Sequence, residues 1–201
     1  DSDGRSIEGV FLTNRADLWS PDRRRLTLLL NPGRVKTGLQ AHDVLGRALI
    51  EGKSYTFEVE GSALDAVGCP LGLDTRRSFD VVAADIQTPD PERWKIIQPR
   101  AKSTKPLVVE LGSAHDHLSL AFRLRVRDSN GTIVPGAIAL GGDEASWEFT
   151  PRLPWKAKPY TLVIDESLED LAGNRPGVLF DQPSSQEPEP WAKTLSFSPR
   201  S

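Results

Sequence analysis

The chain has 201 residues, with 25 Lys and Arg against 28 Asp and Glu, for a formal net charge of −3 at pH 7. That balance argues against nucleic acid as the main partner, since a polyanion is bound through clustered positive charge. Hydrophobic residues make up 38%, but no apolar run approaches the ~20 residues of a spanning helix, which excludes a helical membrane protein. A single cysteine, Cys69, leaves no intrachain disulfide to be made.

In chain order, a tight turn at Asp1-Ser2-Asp3-Gly4 is followed by a predicted strand over 7–12. A turn spans 17–22. The continuous apolar run 26–30 (LTLLL) predicts a strand buried in a sheet interior, stopped by Asn31-Pro32-Gly33. Residues 34–50 form a longer connection with Gly38, His42 and Gly46. Strands over 55–60 and 77–82 complete a first domain, residues 1–84. Pro89 and Pro91 make 85–93 a stiff, extended linker. In the second domain, 94–201, strands are predicted over 94–97, 107–110, 122–126, 133–140, 147–150 and 160–165. Residues 179–181 and 194–197 are candidates for its closing edge. The polar, Pro-rich 182–190 (QPSSQEPEP) reads as a mobile loop. A helical turn or two fits around 116–120. Strands at roughly 8–12-residue spacing, with turn signals between, predict an all-β sandwich architecture.

The chain repeats itself. Tyr55-Thr-Phe-Glu-Val, with Asp65 and Gly68 after it, lies over Tyr160-Thr-Leu-Val-Ile, with Asp170 and Gly173 after it, at a shift of 105 positions. Upstream, Asp1-Ser2-Asp3-Gly4 matches Asp128-Ser129-Asn130-Gly131, and 26–32 matches 145–151. Three matches in one order indicate a tandem duplication. The copies are unequal: about 35 strand-bearing residues, 92–127, precede Asp128, and nothing in the chain precedes Asp1. The first domain is therefore expected to lack its opening strands. The chain would then be a fragment, a processed form, or a protein whose first sheet is completed by another chain.

The series Trp147-Glu-Phe-Thr-Pro, Tyr160-Thr-Leu-Val-Ile and Leu168-Glu-Asp-Leu-Ala-Gly-Asn174 resembles the bacterial Ig-like domain of S-layer and other surface proteins. The first domain departs from it, with Cys69 in the place of Asn174. The resemblance implies two tandem Ig-like β-sandwiches of an exported bacterial protein, periplasmic, secreted or at the cell surface. It also implies a spacer, scaffold or adhesive role without catalytic residues.

Side chains with chemical potential are weighed one by one. His115 and His117 would share one face of an extended segment and could begin a metal site, but no third ligand is near in sequence. Asp165, Glu166, Glu169 and Asp170 form an acidic cluster with calcium-type donors, yet without EF-hand spacing, and Asp170 has a turn to close. Cys69 has no basic neighbour to make it a thiolate. Trp147 and Trp94 are expected in packing roles, whereas Trp19, Trp155 and Trp191 are the flat aromatic platforms that could bind a glycan. No catalytic nucleophile with its base and no cofactor loop can be defended. The expected function is a non-catalytic structural or binding module. The alternatives are a glycan or cell-wall polymer binding domain, and an assembly module finished by a partner's strands.

Overall fold

The computed structural model describes residues 4–12, 18–20, 22–37, 39–181 and 193–200. They are mostly β, arranged in antiparallel sheets. The chain divides into two compact units, Asp1–Ala84 and Asp85–Ser201.

In the first unit the only sheet among the described residues is a hairpin of β1 (Ser54–Val59) and β2 (Thr75–Asp80). Tyr55 lies opposite Phe79, and Val59 opposite Thr75. The alternation of Tyr55, Phe57 and Val59 puts three apolar side chains on one face, and Tyr55 is buried there. The connection 34–50 is not plain loop. It holds two short helices, α1 (Pro32–Val35) and α2 (Gln40–Leu45). The Asn31 carboxamide caps α1 by accepting from the Gly33 amide, and Pro32 supplies a pre-set first turn.

Two predicted strands are corrected here. Residues 7–12 and 26–30 form no continuous ladder, only single antiparallel bridges that join Phe11 to Leu30 and Trp19 to Leu26. Leu28 stays 48% exposed and Leu30 42%. An apolar run becomes a buried strand only where neighbours cover it, and among the described residues this run is flanked on one side alone.

The second unit holds β3 (Lys95–Ile97), β4 (Leu107–Glu110), α3 (His117–Arg123), β5 (Leu124–Asp128), β6 (Gly136–Leu140), β7 (Ser146–Pro151), β8 (Tyr160–Ile164) and β9 (Lys193–Phe197). One sheet has the order β3-β4-β7-β6 and the other β5-β8-β9. Every neighbouring pair is antiparallel, with Val109 opposite Trp147 and Val126 opposite Leu162. Consecutive strands β4 and β5 lie in different sheets, as do β7 and β8.

The inward positions of both sheets feed one core: Leu107 and Val109, Trp147 and Phe149, Leu124 and Val126, Tyr160, Leu162 and Ile164, and Phe197. Complete burial of each such aliphatic side chain stabilises by about 1.5–3 kcal/mol. The Asp116 carboxylate starts α3 by accepting from the Ser119 amide at 2.7 Å. Residues 179–181, expected at the closing edge, form no strand; β9 alone takes that place. The predicted mobile loop 182–190 lies outside the described residues.

The expected linker, 85–93, belongs to the second unit. Pro89 and Pro91 are buried, Pro91–Arg93 forms a single 3-10 turn, and the Asn174 carboxamide donates to the Asp85 carbonyl at 3.1 Å. Prolines suit such a docked segment because they leave fewer N–H groups to satisfy.

Tyr160, at the start of β8, turns its ring into the core while its hydroxyl accepts from the Lys156 amide at 3.0 Å. Tyr160→Phe keeps the ring and deletes this one bond. A loss of about 1 kcal/mol is expected, read as a lower urea midpoint with an unchanged slope.

Candidate functional site

The two units carry the same hairpin with different surroundings. In the first, Tyr55 stacks on Phe79 with ring centroids 6.1 Å apart; in the second, Tyr160 stacks on Phe197 at 5.7 Å. The Tyr55 hydroxyl accepts from the Ile50 amide, as that of Tyr160 does from Lys156.

The turns after the first strand also match. Asp65 Oδ1 accepts from the amides of Val67 and Cys69, each at 2.9 Å; Asp170 Oδ1 accepts from those of Ala172 and Asn174, each at 2.8 Å. Gly68 and Gly173 take φ of +87° and +80°, the left-handed region that glycine enters without cost, which explains why glycine stands at both places. The amides around Asp65 hold its carboxyl below the usual carboxylate range.

What differs is the cover. In the second unit β8 is bonded on both edges, by β5 and β9, and its Leu162 and Ile164 are fully buried. In the first unit β1 is paired with β2 alone, so among the described residues its other edge is free. A groove of about 440 Å³ runs beside it, lined by Ile7, Val10, Phe11, Tyr55, Phe57 and Phe79 among others. Phe11 meets Phe57 edge-to-face with centroids 5.8 Å apart, but Phe79 remains 39% exposed. An unpaired strand edge above a groove of mixed polar and apolar lining is a template for another strand. Glu58, Glu60 and the cationic Arg5 also line the groove. Glu58 is held across the hairpin by Arg76 at 2.7 Å, while Glu60 accepts from the Ser62 hydroxyl.

The residues singled out from the sequence are scattered. His115 is fully buried against the edge of Trp94, and its Nδ1 donates to the Ser113 carbonyl at 3.0 Å. Its Nε2 has no hydrogen-bond partner among the described residues. His117 lies in α3 with its Nδ1 3.0 Å from Glu144 Oε1, so the two histidines make separate contacts and do not share one face of an extended segment.

Asp165 accepts from the amide and hydroxyl of Ser167 and lies 3.9 Å from Arg123, which together hold its carboxyl below the ordinary range. Asp170 spends both oxygens inside its turn, and Glu166 follows Asp165 on the rim of a separate surface recess. Among the described residues no group of three or more His, Cys, Asp and Glu side chains is placed to hold a metal ion. Cys69 is exposed.

Of the three aromatic platforms, Trp155 is corrected: it is 2% exposed, donates from Nε1 to the Lys105 carbonyl at 2.8 Å, and packs edge-on against Tyr160 and Phe197. The sequence placed it in a loop between prolines, but the loop folds back over the end of the core. Trp19 is half-buried, and Trp191 lies outside the described residues. The groove along β1 was not singled out from the sequence, although the Tyr-x-Phe-x-Val alternation carried its signal.

Burial holds the His115 imidazole below its ordinary value of 6.5, the Ser113 carbonyl and Asp170 opposing only in part. As pH falls below about 6.5 the unfolded chain takes up a proton that the folded state refuses, so stability declines on acidification. Glu169 acts in the opposite sense. Burial and Asp116 raise its carboxyl, so its contribution is complete below about 4.5 and is lost as pH rises through the folded value. Between pH 7.5 and 5.5 the wild type is therefore expected to lose more, or gain less, in urea midpoint than His115→Leu, since Glu169 contributes equally to both. An equal change in the variant would remove His115 as a cause.

Among the described residues no helix is long and apolar enough to cross a membrane. Compared with known proteins, the chain matches no family model and no curated protein sequence.

Proposed function

We propose that the protein is a non-catalytic structural module of an exported bacterial protein, built as a tandem of Ig-like units. The observation that carries this reading is the strand order of the second unit. Numbered within that unit, its sheets run first-second-fifth-fourth and third-sixth-seventh, the order of a constant-type immunoglobulin sandwich. The sixth strand opens with a tyrosine whose hydroxyl bonds back to upstream backbone, the corner such sandwiches use at this place. Leu162 stands two residues after it, where an antibody domain has a cysteine, so the core is closed by apolar packing instead of a disulfide.

The first unit fits the same scheme as its last four strands. The β1–β2 hairpin matches the sixth and seventh, and the bridged segments around Phe11 and Leu30 match the fourth and fifth. A spacer or scaffold role suits this construction, since rigid cores present loops without depending on them.

The reading is tested by thermal unfolding of the whole chain against a panel of soluble oligosaccharides and divalent cations, with protease accessibility on intact producing cells. Unchanged melting and surface exposure are expected. A rise in Tm with an oligosaccharide would make this a glycan-binding domain, with Trp19 the described platform to mutate first. Protection inside the cytoplasm would sink export.

A further inference from the structure

We propose that Asn130 is a site of spontaneous deamidation, converted through a cyclic imide to aspartate and isoaspartate at a rate set by how often its turn opens. The site lies in the turn Asp128-Ser129-Asn130-Gly131, which leads out of β5. Asparagine is among the thermolabile residues because its carboxamide carbon can be attacked by the backbone nitrogen that follows it. A new C–N bond closes the imide, the carboxamide C–N bond breaks, and ammonia leaves with the proton of the attacking nitrogen. Water then adds to one of the two imide carbonyls. One choice gives aspartate; the other gives isoaspartate, with the main chain rerouted through the side-chain carbon. Water is the only co-reactant.

The nitrogen must be reachable, and Gly131 has no side chain to crowd it. Asn130 is exposed, and among the described residues no hydrogen bond holds its carboxamide. The other asparagines lack one condition or the other. Asn31 precedes Pro32, which has no N–H to lose. Asn14 is followed by Arg15 in place of a glycine. Asn174 is 2% exposed and precedes Arg175, and its carboxamide is tied to the Asp85 carbonyl, the Asp170 carboxylate and the Phe180 amide. The folded turn holds the reaction back at Asn130. The Gly131 amide donates to the Asp128 carbonyl at 2.8 Å, and the Thr132 amide to Asp128 Oδ1 at 3.1 Å, so the attacking nitrogen is engaged elsewhere. Both bonds must open first, a local event at a loop tip that costs far less than global unfolding. Either product then sets a second carboxylate near that of Asp128, which Lys158 holds at 3.0 Å. Isoaspartate also lengthens the main chain before Gly131. The Arg127–Ile133 bridge, next along the ladder, is the first pairing to loosen.

The test incubates the full chain in neutral to mildly alkaline buffer beside the free peptide 127–135 (RDSNGTIVP), both followed by peptide mass spectrometry. Amide-to-acid conversion is expected at Asn130 before any other asparagine, as two products of equal mass, at a rate that rises with pH. The folded chain should react roughly ten- to hundredfold more slowly than the peptide, the factor for two turn hydrogen bonds, and guanidinium chloride should close that gap. Asn130→Gln, which keeps the amide on a longer arm, should leave the fold intact and remove the conversion. Earlier reaction at Asn14 or Asn174 overturns the site. So does an Asn130 still intact in the folded chain long after the time that a hundredfold delay allows. Equal rates in the folded chain and the peptide overturn the control by turn opening.

Discussion

Replacing Trp155 by alanine is expected to cost the second unit about 3–5 kcal/mol, the range for deleting a large buried aromatic. The indole touches three aromatic rings, with centroids 5.0 Å from Tyr160, 5.7 Å from Phe197 and 6.0 Å from Phe149. It thereby ties the loop before β8 to β7, β8 and β9. Its Nε1 also satisfies the Lys105 carbonyl, which loses its partner in the variant. Since domains of this size are stable by about 5–15 kcal/mol, the loss is a large part of the whole. Urea unfolding followed by far-ultraviolet circular dichroism measures it. Trp155→Phe refills most of the volume and should recover well over half of the loss. A cost below about 1 kcal/mol for the alanine variant would mean that the ring is not core. Collisional quenching by iodide, expected to spare Trp155, gives an independent reading of the same burial.

The second large effect is expected at Asp170. Its carboxylate accepts from the Ala172 amide, the Asn174 amide and the Asn174 carboxamide, the last at 3.1 Å, and it is 7% exposed. Asn174 in turn donates to the Asp85 carbonyl and accepts from the Phe180 amide, so one turn fastens both the entry segment and the chain beyond it. Asp170→Ala orphans two backbone amides and removes one acceptor of the Asn174 carboxamide, and a loss of about 3 kcal/mol follows from the cost of unmade bonds to a charged acceptor. Asp170→Asn keeps the shape but sets an amide against the Asn174 amide, and an intermediate loss is expected. The matching turn at Asp65 supplies the control. Asp65 makes the same two backbone bonds in a more exposed turn, with Cys69 unable to repeat the clamp of Asn174. Asp65→Ala should therefore cost clearly less. Equal losses would mean that burial and the clamp add nothing.

The parts of this fold legible in the sequence are those in which local pattern and tertiary surroundings agree. Leu107–Glu110 and Tyr160–Ile164 alternate or run apolar, end at turn residues, and become strands at nearly the expected places. The Asp-x-x-Gly turns were legible because one carboxylate and one left-handed glycine define them locally. The run 26–30 misled because an apolar stretch states a demand for cover and cannot state whether the cover is supplied. Residues 34–50 misled because Pro32 and Asn31 begin a helix that is only one turn long. Trp155 was misread because Pro154 and Pro159 mark a loop, and the inward fold of that loop depends on Tyr160 and Phe197, remote in sequence or on another strand. For the candidate site, the Tyr-x-Phe-x-Val alternation was legible, while the groove itself took shape only once Phe11, Phe57 and Phe79 were brought together in space.

The most direct test of the sandwich order is the set of inter-strand nuclear Overhauser contacts in the whole chain. Cross-strand contacts are expected between Val109 and Trp147, and between Val126 and Leu162, the pairs that cross over between sequence neighbours. Contacts pairing β4 directly with β5, or β7 with β8, as simple hairpins would contradict the order and with it the Ig-like reading of both units.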